Sequence, residues 1–309
     1  MMTIDKDYHF LLKADSDPGV DAGFEFGIGS EVSVDENGFI PGPTDWAVQD
    51  GEDPTNGSTM FGRDRLLGPT WLWQLHVNRT NAEEALETLG RFKTAWHALS
   101  IRDTPGAVLP LVYRVGGRER RVFGRPRRFE APPDNRILSG YVPVSVDFKC
   151  VDGYTYDAVE QEVVLQLGQN LADSDQVDSG GGFVFPVTFP VDTLMPTRQL
   201  AQILIGGDAP AYPIVRFYGS VIGPKLITDD WVLSLDYSIA AGQWVEIDTR
   251  PWRQTVLSSD GASIAGRLGR RQRLSKIAFA PGRFEAKYVG FSSTTSTCSV
   301  RWANTHNGL

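Results

Sequence analysis

Histidines stand at positions 9, 76, 97 and 306, and an imidazole is the first group that a metal site or a neutral-pH general base would use. Their spacing argues against both uses. No two fall at the interval that places a pair on one helix face for zinc, and His97, near the end of a helical stretch, reads as a surface or packing residue. Carboxylates bunch at Asp173, Asp175 and Asp178, and again at Asp229-Asp230. The first bunch lacks the glycine and closing glutamate of a calcium loop, so it reads as a solvated acidic linker. The second suits a polar turn before a strand, and no pair of carboxylates can be assigned acid and base roles from spacing alone. Cys-x-x-Cys, Walker and Gly-x-Ser-x-Gly motifs do not occur, and "FGIGSE" lacks the third glycine and following helix of a nucleotide loop. The expectation is therefore a protein that is not an enzyme and takes no cofactor or metal.

The arginines carry the strongest local charge signal. Arg114, Arg118, Arg120, Arg121, Arg125, Arg127 and Arg128 are opposed nearby only by Glu119 and Glu130. Such a run serves either as a basic contact surface for phosphate or an acidic protein, or as a solvated hairpin whose charges discourage edge pairing. Aromatics able to stack on unpaired bases are sparse around it, so specific nucleic-acid binding is not expected. In "TRPWRQT", Trp252 sits among loop-forming and charged residues. An exposed Trp there would stack on a sugar ring, whereas a packed one belongs to a core or interface.

These residues need elements to hold them. Thr80 and Glu83 offer a capping box for a helix from Asn81 to about Leu99, with Ala82, Ala85, Leu86, Leu89, Phe92, Trp96 and Leu99 recurring on one face. "WLWQLHV" (71–77) precedes it as a strand. Gly116-Gly117 separates "VLPLVYRV" from "RERRVFGRPRRF" and suits the positive φ angles of a tight hairpin. From Tyr141 to Cys150 apolar and polar residues alternate, as in an antiparallel sheet with one wet face. "DENG", "PGP" and "DGEDPTNGS", between 35 and 58, read as loops. The last third holds short alternating stretches, "WVLSLDYSI", "WVEIDT" and "RFEAKYV", with no helical interruption, which points to a β-sandwich.

The 309 residues allow about two domains. The boundaries expected are 1–155 for a β-rich α+β domain with one helix, 156–196 for a linker with an extended arm, and 197–309 for the sandwich. In "SGGGFVFPVTFPVDT", Phe183, Phe185, Val187 and Phe189 share one phase, while Pro186 and Pro190 bar a central strand; the segment reads as an edge strand or interdomain arm. Cys150 and Cys298 are too few for a disulfide framework and fall in phase with apolar strand faces. Net charge is −8, which gives no global attraction to nucleic acid or anionic lipid. The N-terminus carries acids where a signal peptide carries cations, and no apolar run reaches the ~20 residues that span a bilayer. Synthesis and folding in a cytoplasm, without membrane insertion, are expected.

In order along the chain, "NAEEALETLGRFKTAWHAL", "VYRVGGRERRVFGRPRRF", "YVPVSVDFKCVDGYTYD", "SGGGFVFPVTFP", "YPIVRFYGSV", "LSLDYSIAAGQWVEIDT", "LSKIAFAPGRFEAKYVG" and "CSVRW" resemble the distal tail proteins of long, non-contractile-tailed bacteriophages. The motifs are individually weak, and their order is the specific part. Residues 20–60 match that family less well. The resemblance implies a mainly β protein with a ring-forming N-terminal belt domain and a galectin-like or carbohydrate-module-like C-terminal sandwich. It also implies a structural role at the virion tail tip: a homo-hexameric ring joining the tail-tube protein to tail-tip, tail-associated or receptor-binding proteins. On that basis Arg118, Arg120, Arg121, Arg125, Arg127 and Arg128 become candidates for a ring or tube interface, and Phe183, Phe185, Val187 and Phe189 for the interdomain arm. The alternative is a carbohydrate-binding module that attaches the phage to host glycan, with Trp252 as the stacking residue.

Overall fold

The computed structural model describes residues 4–13, 23–132, 135–167, 200–292 and 296–308. Within them the chain is mainly β and divides into two compact units, 1–159 with 305–309, and 160–304. The arm residues Phe183, Phe185, Val187 and Phe189 lie outside the described residues, as do Asp173, Asp175 and Asp178.

The first unit begins with β1 (His9–Lys13), β2 (Gly23–Gly27) and β3 (Val32–Ile40). Four two-residue strands follow: β4 (Trp46–Ala47), β5 (Gly51–Glu52), β6 (Thr59–Met60) and β7 (Arg65–Leu66). Next come β8 (Thr70–Asn78), helix α1 (Ala82–His97), β9 (Leu109–Val115), β10 (Arg118–Glu130), β11 (Tyr141–Cys150) and β12 (Thr155–Asp157). The sheet runs β2-β1-β9-β10-β11-β8-β3, with β12 added beside β10. Alternation does what the sequence dictates: Val142, Val144, Val146, Phe148 and Cys150 are buried, while Ser145, Asp147 and Lys149 face outward. Gly116 and Gly117 both have positive φ, 61° and 74°, at the turn that closes β9 on β10.

Helix α1 differs from expectation at its ends. Asn81, not Thr80, is the cap: its side chain accepts from the Glu84 backbone N–H at 2.9 Å and donates to Glu84 Oε1 at 3.1 Å, so the cap is shifted by one residue. Ala85, Thr88, Phe92 and Trp96 are buried, but Leu86 and Leu99 are 53% and 73% exposed. Leu86 falls off the buried stripe, and Leu99 lies past the helix end, where Ala98 takes a left-handed conformation and turns the chain. The stripe that remains packs on the sheet through aromatics. Trp73 meets Trp96 at 6.0 Å and 80°, and Phe26 at 5.8 Å and 87°, the edge-to-face arrangement that aromatic quadrupoles favour.

The second unit contains β13 (Gln161–Gln166), β14 (Ala201–Ile205), β15 (Ile214–Tyr218), β16 (Val221–Thr228), β17 (Val232–Ser234) and β18 (Ser238–Ile239). It continues with β19 (Trp244–Asp248), β20 (Thr255–Ser258), β21 (Gly282–Phe291) and β22 (Thr297–Trp302). Two antiparallel sheets form, β13-β22-β15-β19-β20 and β14-β21-β16-β17 with β18 beside β16. Both feed one core, Val215, Phe217 and Val300 from the first sheet and Ile203, Leu226 and Tyr288 from the second. The stretch "WVLSLDYSI" is broken into β17 and β18 rather than forming one strand. Gln161–Gln166, read from sequence as part of the junction, is a strand of this unit.

After β22 the chain returns to the first unit: β23 (Thr305–His306) pairs antiparallel with β12, Thr155 opposite His306 and Tyr156 opposite Thr305.

Candidate assembly surfaces

The arginine run does not form one surface. Arg120 is buried, and its Nη1 donates to the Gly308 carbonyl at 2.6 Å and to Thr155 Oγ1 at 3.3 Å. Thr155 Oγ1 donates to the same carbonyl at 2.6 Å. This guanidinium thus anchors the C-terminal strand. Arg121 is also buried, with its guanidinium 5.1 Å from the centre of the Phe123 ring. Arg125 is half-buried and donates to the carbonyls of Ala107 and Thr104 at 2.5 and 2.6 Å. Arg118, Arg127 and Arg128 are exposed; the Arg128 backbone N–H donates to Asp147 Oδ1 at 2.6 Å, and its guanidinium donates to Glu130.

A further arginine, not singled out from sequence, joins part of this set. Arg102 follows α1 and donates to the carbonyls of His97 and Pro126, each at 2.8 Å. Burial, and the like charges of Arg127 and Arg125, push its guanidinium below its ordinary pKa. The signal that could have found it is position: a cation just beyond a helix C-terminus meets the last carbonyls and the negative end of the dipole. The result is a cationic patch of Arg102, Arg125 and Arg127 beside the end of α1, where an irregularity between Pro126 and Phe129 breaks the ladder of β10 with β11.

Residues 41–69, which include the "PGP" and "DGEDPTNGS" stretches expected as loops, carry two short antiparallel strand pairs that make a two-stranded ribbon. Trp46 pairs with Leu66 and Ala47 with Arg65; farther out, Gly51 pairs with Met60 and Glu52 with Thr59. At the tip, Asp53 Oδ1 accepts from the Thr55 backbone N–H and hydroxyl at 2.8 and 2.7 Å, which holds the turn and keeps this carboxyl below its usual pKa. The root is tight: a Cβ on Gly42 would come within 2.3 Å of the Thr70 carbonyl oxygen, and one on Gly68 within 2.2 Å of that of Cys150. Several of the ribbon's apolar side chains are exposed. Phe61 is 85% exposed, and Trp46, Val48 and Met60 lie between 56% and 60%. A small cavity of about 60 Å³ at the root is lined in part by Pro41, Gly42, Pro69 and Asp152. Loss of water there pushes the Asp152 carboxyl up to about 6, although the Tyr156 hydroxyl donates to it at 2.6 Å. Strands of two residues are too short to show a period, which is why the sequence displayed only turn signals here.

The remaining candidates are dispersed. His9 pairs with Glu25 at 2.8 Å, His76 with Asp35 at 2.5 Å and His306 with Asp157 at 2.9 Å, while His97 is exposed. Among the described residues no cluster of three or more His, Cys, Asp or Glu could hold a metal ion. Asp229 accepts from the Glu285 backbone N–H at 2.9 Å, as a turn residue does. Cys150 and Cys298 are buried, and burial pushes both thiols up. Trp252 is half-buried, with the Arg250 guanidinium 5.8 Å from its ring centre. No described helix is long and apolar enough to cross a membrane.

No protein-family model matches the chain, and no curated protein matches it in sequence. Solved structures do. A chain of the phage P2 baseplate in its activated conformation with Ca aligns over 95% of this chain and 97% of its own, at a TM-score of 0.55 and 12% identity. The chain has a phage baseplate fold. The P2 baseplate with Sr aligns over the same shares, 95% and 97%, at a TM-score of 0.52 and 12% identity. The Dit protein of phage SPP1, described as a hub adsorption apparatus in phages infecting Gram-positive bacteria, covers 87% of this chain and 93% of its own, at a TM-score of 0.49 and 14% identity. The shared fold covers residues of both units.

Proposed function

We propose that this chain is a structural subunit of a phage tail tip: a distal tail protein whose first unit closes into a hexameric ring between the tail tube and the tail-tip or receptor-binding proteins. The reading is carried by the agreement of fold with a baseplate chain over 95% of the length. The ribbon adds a physical reason for assembly. Monomeric proteins seldom leave contiguous apolar surface open to water, and a two-stranded ribbon is marginal by itself. A surface of this kind is completed by another protein. The chain then acts by holding neighbours in place rather than by catalysis, and its site of action is the virion.

Mass photometry and negative-stain imaging of the purified protein, alone and mixed with tail-tube ends, test this. The expected species is a closed ring of six times 34.1 kDa, with a diameter matching the tip of the virion tail. A protein that stays monomeric in both conditions contradicts the reading.

A further inference from the structure

We infer that the acidic tip of the ribbon of one copy docks on the Arg102, Arg125 and Arg127 patch of the next copy, with Phe61 as the apolar anchor beside that charge contact. The inference rests on the proposed ring and names the two surfaces that would join it.

Charge is the first argument. From Asp50 to Met60 the ribbon carries Asp50, Glu52 and Asp53 and no base. Glu52 is exposed, and the hydrogen bonds from Thr55 hold Asp53 in its ionised form. The patch is the complement. Arg102 and Arg125 spend their donors on backbone carbonyls, which satisfies their hydrogen bonds without neutralising their charge, and exposed Arg127 stands beside them. Burial and then the like charges of Arg127 and Arg125 hold Arg102 below its ordinary pKa, and an incoming acid offsets that repulsion. Opposed potentials of this kind set the register of an interface and exclude wrong partners.

Reach is the second argument. Each leg of the ribbon, about 13 residues at roughly 3.3 Å per residue, extends up to roughly 40 Å. A unit of about 150 residues has a radius of gyration near 15 Å and so measures roughly 40 Å across. The patch lies close to the ribbon's own root, because Arg125 on β10 faces Lys149 on β11, which in turn faces Thr70 at the start of β8. A tip that lands on a neighbour's patch therefore advances by about one unit width from root to root. Two different surfaces on each copy, offset by one subunit, generate a heterologous interface that closes into a ring when the rotation permits. The apolar part follows: contact buries Phe61 and Met60, which solvent now covers.

The test is a charge exchange between two exposed residues, read by mass photometry and with thermal melting as the control for folding. Glu52→Lys and Arg127→Glu should each raise the concentration for half-assembly about tenfold or more, because each sets like charges against each other. Glu52→Lys combined with Arg127→Glu in one chain restores opposite signs at every contact and should return assembly to within about threefold of the parent. Phe61→Ser should weaken assembly in either background. Rings of parental stability from both single variants would overturn the contact while leaving the ring itself intact, and so would a double variant no better than the worse single one. A parent chain that never forms a ring would overturn the function and this contact together.

Discussion

The sheet of the first unit and the ribbon that grows from it are made of the same residue types and end in opposite states. In the sheet, Trp73, Phe26 and Trp96 are fully buried and touch one another edge to face. In the ribbon, Trp46 and Phe61 stand in water. Residue type therefore does not separate the two regions; what differs is the number of layers available. The sheet has α1 to cover its apolar face, whereas the ribbon is a single layer held by its own turn and by glycines at its root. A region of this kind gains a second layer only on contact with another molecule, and the proposed ring would supply one.

That contrast can be broken in a graded way. The largest effect should come from Trp96→Ala. Truncating this fully buried ring, whose Nε1 donates to the Arg128 carbonyl at 2.9 Å, should cost about 3–5 kcal/mol of unfolding free energy, measured in urea. Next is Arg120→Met, which removes a charged donor from the Gly308 carbonyl and should cost about 1.5–3 kcal/mol. Hydrogen exchange at the β23 amides should accelerate with it; unchanged exchange there would separate Arg120 from the anchoring of the C-terminal strand.

Asp152, at the junction of the two regions, sharpens the comparison through pH. Its folded pKa is raised to about 6 from 3.8, so the folded state holds the proton more tightly than the unfolded chain does. Stability contributed by this group is full below about pH 4 and is lost as pH rises through about 6. Asp152→Asn should therefore leave stability at pH 4 nearly unchanged and raise it at pH 8 by about 2–3 kcal/mol. A variant that is less stable than the parent at pH 8 would show that the ionised carboxylate is needed at the root. The smallest effect on folding should come from Phe61→Ser, within about 0.5 kcal/mol of the parent in the isolated chain. A loss comparable to that of Trp96→Ala would mean that Phe61 is already covered and that the two regions do not differ.

Much of the fold was legible because its signals are local. The Gly116-Gly117 turn, the β11 alternation and most of the α1 stripe are each set by residues within one element. The cap moved from Thr80 to Asn81 because both residues can accept from a first-turn amide and only the entry angle of the chain selects between them. The arginines were less legible for a different reason. Arg118 and Arg120 look alike in sequence, yet the carbonyl that fixes Arg120 is 188 residues away, and no period or spacing carries that pairing. The ribbon hid for a third reason: its strands are two residues long and its text is turn-rich, so only three-dimensional pairing reveals that "DGEDPTNGS" is a tip rather than a slack loop.

The pairing of β12 with β23 has a consequence for how such a chain can change. The segment that leaves the first unit and the segment that comes back to it are hydrogen-bonded neighbours, so everything from 160 to 304 leaves and re-enters the first unit at two adjacent strands. A different module could be spliced there, or the existing one excised and replaced by a short bridge, without disturbing any strand order upstream. The scaffold can keep its architecture while its cargo is exchanged.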